Sequence, residues 1–220
     1  TIKNGNCPFF VGATAGTTVR GAFDPINQIS DICNEFNIWL HIDGSWGGPV
    51  LLSKKYKYLL ESSERSDSFT WCCHKMMGIP LVCTAIILKD KNLLKNINEI
   101  ENTDYLFHDN NDQFDLGRFS LQCGRKVDSL KLFLTWKYFG DIGFERKINH
   151  LFKLAKYAES KVIQSTILKL ISPVESLNIC FQPQPKQLLI NEWNDFTISC
   201  RDELTRNGHV MINYAYIGNV

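Results

Sequence analysis

The feature that most constrains the fold is an apolar segment, residues 38–43, that ends in a carboxylate and runs directly into the glycine-rich segment 44–48. The length and residue types of the first segment are typical of a buried strand, and the glycines after it of a loop. A carboxylate at the end of a buried strand is partly desolvated and therefore needs a cationic partner. We predict that Asp43 lies partly buried at a sheet edge, next to a positive charge.

Two further segments of the chain also read as strands that run directly into loops. Residues 8–13 form a short apolar run that stops at the loop 14–18, and the strand pattern at 68–71 leads into a loop that carries Lys75. If the strands are parallel, these loops meet at one edge of the sheet, which is where ligands bind in α/β proteins. A lysine beside a core is unusual, because lysine is mostly solvated. The loops are therefore predicted to converge on a site that contains Asp43 and Lys75.

Helical and strand patterns alternate along the rest of the chain. Asp24 and Pro25 suit the cap and the first turn of a helix. Further helices are predicted at 53–64, 127–139, 145–163 and 194–207, and further strands at 81–88, 168–171, 177–181 and from 211 onward. This alternation predicts an α/β fold. Residues 91–120 are polar with weak periodicity, so we expect a connecting loop and a short helix there, and a boundary between two structural units.

Composition excludes several classes of protein. Hydrophobic residues make up 44% and charged residues 21% of the chain, as in soluble globular proteins. A formal net charge of +1 attracts neither nucleic acid nor anionic lipid, and no apolar run approaches the roughly 20 residues that span a bilayer. We therefore expect a cytoplasmic protein that binds neither nucleic acid nor membrane.

The eight cysteines favour buried free thiols in a reducing compartment. None of them forms a C-x-x-C pair, and most lie in apolar runs. Adjacent Cys72, Cys73 and His74 have the wrong spacing for a tetrahedral zinc site, and no second ligand cluster accompanies them. We therefore expect no metal centre.

A lysine and a carboxylate at one sheet edge meet the needs of a single cofactor. Pyridoxal phosphate requires a lysine amine for a Schiff base and a carboxylate against its pyridine nitrogen, which the negative charge keeps protonated. This cofactor would account for both Lys75 and Asp43. Taken singly, each residue has another explanation: Asp43 could stabilise a turn, and Lys75 could be a solvated surface charge.

Four motifs in order resemble those of pyridoxal-phosphate-dependent group II amino-acid decarboxylases. Residues 13–25, ATAGTTVRGAFDP, look like the family's A-T-A-G-T-T-V-x-G-A-F-D-P. Residues 41–48, HIDGSWGG, resemble H-V-D-A-A-W-G-G, and residues 68–78, SFTWCCHKMMG, are similar to S-V-T-W-N-P-H-K-M-M-G. Residues 122–125, QCGR, resemble the family's Q-C-G-R motif. The resemblance runs from about residue 9 to the end of the chain and thins after residue 163.

The resemblance implies a fold and an assembly. The chain is expected to be part of a fold-type I pyridoxal-phosphate enzyme, with residues 1–110 forming the C-terminal part of the large cofactor-binding domain. Residues 111–220 are expected to begin the small C-terminal domain. The family forms homodimers, so a homodimer is implied, with residues 122–125 near the shared region. These residues alone are expected to be inactive.

The resemblance also implies roles for individual residues. Lys75 would bind pyridoxal phosphate through a Schiff base, Asp43 would pair with its pyridinium nitrogen, and His74 would lie against it near the phosphate. Thr18, Ser45 and Cys72 are the further expected cofactor contacts. Two departures bear on these roles. Cys72 stands where the family has an asparagine that helps to hold the phosphate, and Ser45 stands where it has an alanine against the ring.

Three function classes follow from these motifs. The first is decarboxylation of an acidic amino acid, namely cysteine sulfinate, aspartate or glutamate. Residues 78–81 and 123–128 lean toward the cysteine sulfinate and aspartate branch. The second is another lyase or an aminotransferase that uses the same lysine and aspartate. The third is a catalytically silent homologue that serves as a dimer partner, which the departures at Cys72 and Ser45 suggest.

Overall fold

The sheet at the centre of the molecule is four-stranded and mixed. The computed structural model describes residues 5–98, 117–120 and 124–217 of the 220-residue chain. The strands lie in chain order across the sheet: β1 (Phe10–Thr14), β2 (Trp39–Asp43), β3 (Ser68–Cys72) and β4 (Thr84–Leu88). The first three are parallel, so their carboxyl ends lie at one edge, as predicted. β4 runs antiparallel to β3, since the short connection 73–83 leaves no room for the crossover that a parallel pair needs.

Helix α1 (Ile26–Glu35) packs against β1 and β2. The prediction that Asp24 caps this helix is wrong, because no side chain caps its first turn. Instead, the Oδ2 atom of Asp24 accepts a hydrogen bond of 2.7 Å from the backbone N–H of Thr14. Asp24 thus joins the start of the helix to the end of β1, next to the predicted site.

The charged stretch 53–64, predicted as one helix, instead forms short 3₁₀ helices separated by turns. They span Lys57–Leu60 and Ser63–Arg65, and a further 3₁₀ helix, Gly48–Leu52, precedes the stretch. Ser53 gives the physical reason: its buried Oγ accepts hydrogen bonds from the N–H groups of Lys55 and Tyr56 and donates to Oδ1 of Asn149. A serine that bonds to the next backbone groups favours a turn over a helix.

A short helix, α2 (Leu93–Asn98), is followed by the long element α3 (Asp128–Gln164). The two helices predicted at 127–139 and 145–163 are the two arms of α3. They meet at Gly140, whose φ of 62° and ψ of 177° interrupt the helical backbone. A positive φ favours glycine, which lacks the Cβ that strains other residues there. In the part of the chain that the structure describes, no helix is both long and apolar enough to cross a membrane.

The second arm of α3 closes the core over the sheet. Ile148 on this arm and Ile42 on β2 are both fully buried. The ring of Phe152 stacks on that of Tyr56, with ring centroids 3.9 Å apart. The α/β class is thus confirmed, and the sheet edge that carries the predicted site rests on a continuous core.

The C-terminal part contains an antiparallel pair, β5 (Leu168–Leu170) and β6 (Phe181–Pro183), and helix α4 (Trp193–Arg206). The strand predicted at 177–181 begins only at Phe181, because Asn178 packs against the loop after β1 instead. The strand predicted from residue 211 is wrong within the described range up to 217. The carbonyl of Ile212 accepts a hydrogen bond from the Arg201 side chain on α4 rather than from another strand.

Candidate active site

The loops after β1 and β2 are joined through their backbones. Asp43 lies in register with Thr14 on β1. The carbonyl of Ala15 accepts a 2.9 Å hydrogen bond from the N–H of Gly47. Gly16 has a φ of +82°, and a Cβ there would lie 2.9 Å from the Gly47 nitrogen. Only glycine therefore allows this close approach, and the convergence of these two loops is confirmed.

Asp43, at the end of β2, is held as a charged carboxylate. Its Oδ1 accepts a 3.0 Å hydrogen bond from the N–H of Ser45. Partial loss of solvent around the carboxylate raises the pKa of Asp43, but the Ser45 hydroxyl and N–H and the nearby Lys75 and His41 outweigh it, so the pKa lies below its ordinary value. The predicted cationic neighbour is therefore Lys75. Asp43 as a whole residue is exposed, and so less buried than predicted, because β2 ends there.

Lys75 is half-buried and lies over an aromatic ring. Its Nζ is 4.9 Å from the centre of the Trp46 ring, within the range of a cation–π contact. Its backbone N–H donates to the carbonyl of Cys72 at the end of β3, which fixes the start of the turn. Trp46 was not among the predicted site residues. The signal that could have found it is its position in the same loop as Asp43.

A cavity of about 660 Å³ opens beside Lys75. Its lining includes Trp46, His74, Lys75, Lys147, Leu151 and Leu177. Apolar walls with a few convergent polar groups are the usual form of a small-molecule site. Lys147 was also missed by sequence reasoning, because nothing distinguishes it from the other lysines of a charged helix.

His74 and Cys72 flank Lys75 and are held by the start of β4. The Nδ1 atom of His74 lies 2.8 Å from the carbonyl oxygen of Cys83 and 3.0 Å from its nitrogen. The Sγ atom of Cys72 lies 3.4 Å from Oγ1 of Thr84. Both residues are thus fixed next to Lys75, and their contacts with a phosphate stay predictions.

Thr18 lies on the exposed loop after β1. Its backbone carbonyl accepts a 2.7 Å hydrogen bond from the side-chain amide of Asn178. The structure thus brings Asp43, Ser45 and Lys75 together, and it places Thr18 on the adjoining loop. Of the motif at 122–125, Gln122 and Cys123 lie outside the described residues.

The described cysteines are free, and two of them form a buried pair of thiols. Burial, together with the neighbouring thiol of Cys83, raises the pKa of Cys73 to about 12. Burial also raises the pKa of Cys83. Both therefore stay protonated at neutral pH. Among the described residues there is no cluster of three groups able to hold a metal ion.

Two neighbouring residues, Gly44 and Phe69, both differ from the residues in the family's motifs. A Cβ on Gly44 would collide with the ring of Phe69, on β3. The family's motifs have alanine at the position of Gly44 and valine at the position of Phe69. The larger Phe69 ring thus fills the space that a glycine leaves free, and the close packing at this loop is retained.

Comparison with known proteins settles the family. The model of the pyridoxal-dependent decarboxylase conserved domain matches residues 1–184. The chain belongs to the pyridoxal-dependent decarboxylase family. The predicted family is confirmed, and with it pyridoxal phosphate as the family's cofactor.

Individual relatives agree with this assignment. The L-aspartate decarboxylase dtxS4 of Metarhizium robertsii is 43% identical over 185 residues, which are 82% of this chain and 37% of that protein. The structure of mouse CSAD superposes with a TM-score of 0.88 at 35% identity, covering 99% of this chain and 47% of that one. Tryptophan decarboxylase of Catharanthus roseus gives a TM-score of 0.85 at 27% identity, covering 100% and 44%. The chain thus spans less than half the length of these relatives.

Proposed function

We propose that the protein decarboxylates an acidic amino acid, namely cysteine sulfinate, aspartate or glutamate, to the corresponding amine. Pyridoxal phosphate would be bound through a Schiff base on Lys75. The observation that carries the proposal is the placement of Lys75 beside the ionised Asp43 at the carboxyl edge of the sheet. The sequence similarity to an L-aspartate decarboxylase supports the acidic substrate.

The residues at the site fit this cofactor. Pyridoxal phosphate, when bound, supplies an electron sink for the electron pair left at Cα when the carboxylate leaves as CO₂. Asp43 is suited to face a protonated ring nitrogen, because Ser45 and Lys75 hold its pKa low. Lys75 supplies the primary amine at the mouth of the cavity. We assign His74, Thr18, Ser45 and Cys72 to the surroundings of the cofactor, on the loops that adjoin Asp43 and Lys75.

The side chains around the cavity also determine the environment of the reaction. Leu151 and Leu177 contribute apolar surface to the wall next to Lys75. The Trp46 ring holds the Lys75 ammonium by a cation–π contact, from which the flexible four-carbon stem can swing away. The ammonium of Lys147 adds a second positive charge to the lining, which favours an anionic substrate.

Product analysis with the full-length protein tests the proposed reaction. The protein is incubated with pyridoxal phosphate and, separately, with aspartate, cysteine sulfinate and glutamate, and the amines and CO₂ are quantified. We expect one or two of these acids to yield the amine with an equal amount of CO₂, and the Lys75→Ala variant to yield none. A keto acid in place of the amine would indicate transamination and contradict the proposal.

A catalytically silent homologue is the second candidate, and Cys72 favours it. The family's asparagine at this position helps to hold the phosphate, whereas the Sγ atom of Cys72 lies next to Thr84. Failure of the full-length protein to bind pyridoxal phosphate at saturating concentration would support this candidate. A normal visible absorbance band with no product would support it as well.

The location, assembly and domain organisation of the protein are also proposals. We propose a cytoplasmic homodimer, with a large-domain part at 1–110 and the beginning of a small domain at 111–220. Exposed apolar side chains on the first arm of α3 support association: Leu130, Phe133 and Leu134 are each at least half exposed. Light scattering after size-exclusion chromatography should give twice the mass of one full-length chain, and a monomer mass would contradict the dimer.

A further inference from the structure

Lys147, on the second arm of α3, contacts the turn that follows Lys75. Its Nζ donates a 2.6 Å hydrogen bond to the carbonyl oxygen of Met77, two residues after Lys75. The same Nζ lies 5.7 Å from the centre of the Phe139 ring. Lys147 is half-buried and lines the same cavity as Lys75. The side chain therefore bridges α3 and the turn that carries the proposed cofactor lysine.

The backbone of this turn is shaped to receive the Lys147 ammonium. The N–H of Gly78 donates to the carbonyl of Lys75 at 2.9 Å, which closes the turn. Gly78 has a φ of +70°, and a Cβ at this residue would lie 2.7 Å from the Nζ of Lys147. Glycine therefore provides both the backbone conformation and the space for the ammonium. A hydrogen bond from a charged donor is also about twice as strong as one between neutral groups.

We propose that Lys147 is a positioning residue for Lys75. This inference rests on the proposed function, in which Lys75 binds the cofactor. The backbone at Lys75 is fixed on one side by the carbonyl of Cys72 at the end of β3 and on the other by the contact between Met77 and Lys147. Because the stem of Lys75 is flexible, the position of its backbone determines where its amine reaches. Without Lys147, the half of the turn after Lys75 loses its hydrogen bond to α3 and keeps only the apolar packing of Met77 against Phe144.

A second lysine on α3 provides a matched control. The Nζ of Lys156 also donates to a backbone carbonyl, that of Val174, at 3.3 Å. Lys156 lies on the same arm and also forms a salt bridge with Glu159. Its carbonyl partner is far along the chain from Lys75, and its side chain is mostly exposed. Replacing either lysine with methionine removes one positive charge and one hydrogen bond to the backbone.

The experiment compares wild type with Lys147→Met, Lys147→Arg and Lys156→Met in the full-length protein. For each protein, the Kd for pyridoxal phosphate and the rate of Schiff-base formation on Lys75 are measured from the visible absorbance band. The melting temperature is measured without cofactor. We expect Lys147→Met to raise the Kd about tenfold, the effect of losing one charged hydrogen bond, and to slow the rate. Lys147→Arg should restore most of both values, and Lys156→Met should match wild type.

The outcomes separate a positioning role from a structural one. A lower melting temperature for Lys147→Met with unchanged Kd and rate would overturn the inference, as would equal effects of Lys147→Met and Lys156→Met. If Lys147→Met does not fold, Lys147→Gln replaces it; it keeps an N–H donor but loses the charge, so it is expected to show a smaller loss in the same direction. A wild-type protein that forms no absorbance band would overturn the proposed function itself. An unchanged variant beside a normal wild-type band would overturn only the role of Lys147.

Discussion

The Gly16→Ala substitution tests the close approach of the loops that carry Thr18 and Asp43. Gly16 has a φ of +82°, and the left-handed conformation costs a residue with a Cβ about 1–2 kcal/mol. The added methyl group would lie 2.9 Å from the Gly47 nitrogen, a backbone atom that no rotamer change can move away. Forcing such a contact costs about 1–3 kcal/mol more. We therefore expect a total loss of about 2–5 kcal/mol in the free energy of unfolding.

Urea unfolding of the full-length protein measures this loss, and Gly12→Ala is the matched control. Gly12 lies on β1, four residues before Gly16, and the nearest atom to a Cβ there is on the Phe10 side chain, at an ordinary 3.6 Å. Alanine at position 12 should change the stability by less than about 0.5 kcal/mol. Because Gly16 also packs against Trp46, Gly16→Ala should weaken the binding of pyridoxal phosphate too. Equal stabilities of the two variants, with equal affinities for the cofactor, would refute the reasoning.

Three shorter predictions concern the core, the thiols and the site carboxylate. Ile148→Ala should lower the free energy of unfolding by about 2–5 kcal/mol, because Ile148 is fully buried. Ile142 is 65% exposed, so Ile142→Ala should change this free energy little. Equal losses in urea unfolding would contradict the described core. In the folded protein at pH 8, iodoacetamide should label the exposed Cys7 well before Cys73, whose thiol is buried and has a pKa raised to about 12. Early labelling of Cys73, measured by peptide mass spectrometry, would contradict its burial. The lowered pKa of Asp43 contributes stability that is present above the unfolded pKa of about 3.9 and is lost as the pH falls below it. The stability difference between wild type and Asp43→Asn should therefore shrink from pH 7 to pH 3.5, and a constant difference would show that the carboxylate gains nothing from its neighbours.

The sequence predicted the part of the fold that positions the site. Short apolar runs that end in polar loops identify parallel strands, and parallel strands bring the ends at Thr14, Asp43 and Cys72 to one edge. The cationic neighbour of Asp43 was predictable for the same reason, because a carboxylate at a strand end requires one. The exposure of Asp43 was not predictable, since it depends on how far the side chain extends beyond the sheet.

The errors arose where side chains form hydrogen bonds that the sequence pattern does not reveal. Asp24 caps no helix because its carboxylate binds the N–H of Thr14 instead. The stretch 53–64 resembles a charged helix, but the buried Ser53 turns the chain by bonding to its own neighbours and to α3. Lys147 was missed for a related reason, because its partner, the carbonyl of Met77, is 70 residues away in the chain and a backbone atom leaves no sequence signal.

The central claim, that Lys75 binds pyridoxal phosphate, is tested most directly by reduction with borohydride. The full-length protein is saturated with the cofactor, reduced and digested, and the labelled lysine is located by mass spectrometry, with Lys75→Ala treated in parallel. We predict a visible absorbance band that disappears on reduction, with the pyridoxyl group on Lys75, and neither band nor label at this site in the variant. A band that persists in Lys75→Ala, or a label on another lysine such as Lys147 in the wild type, would contradict the claim.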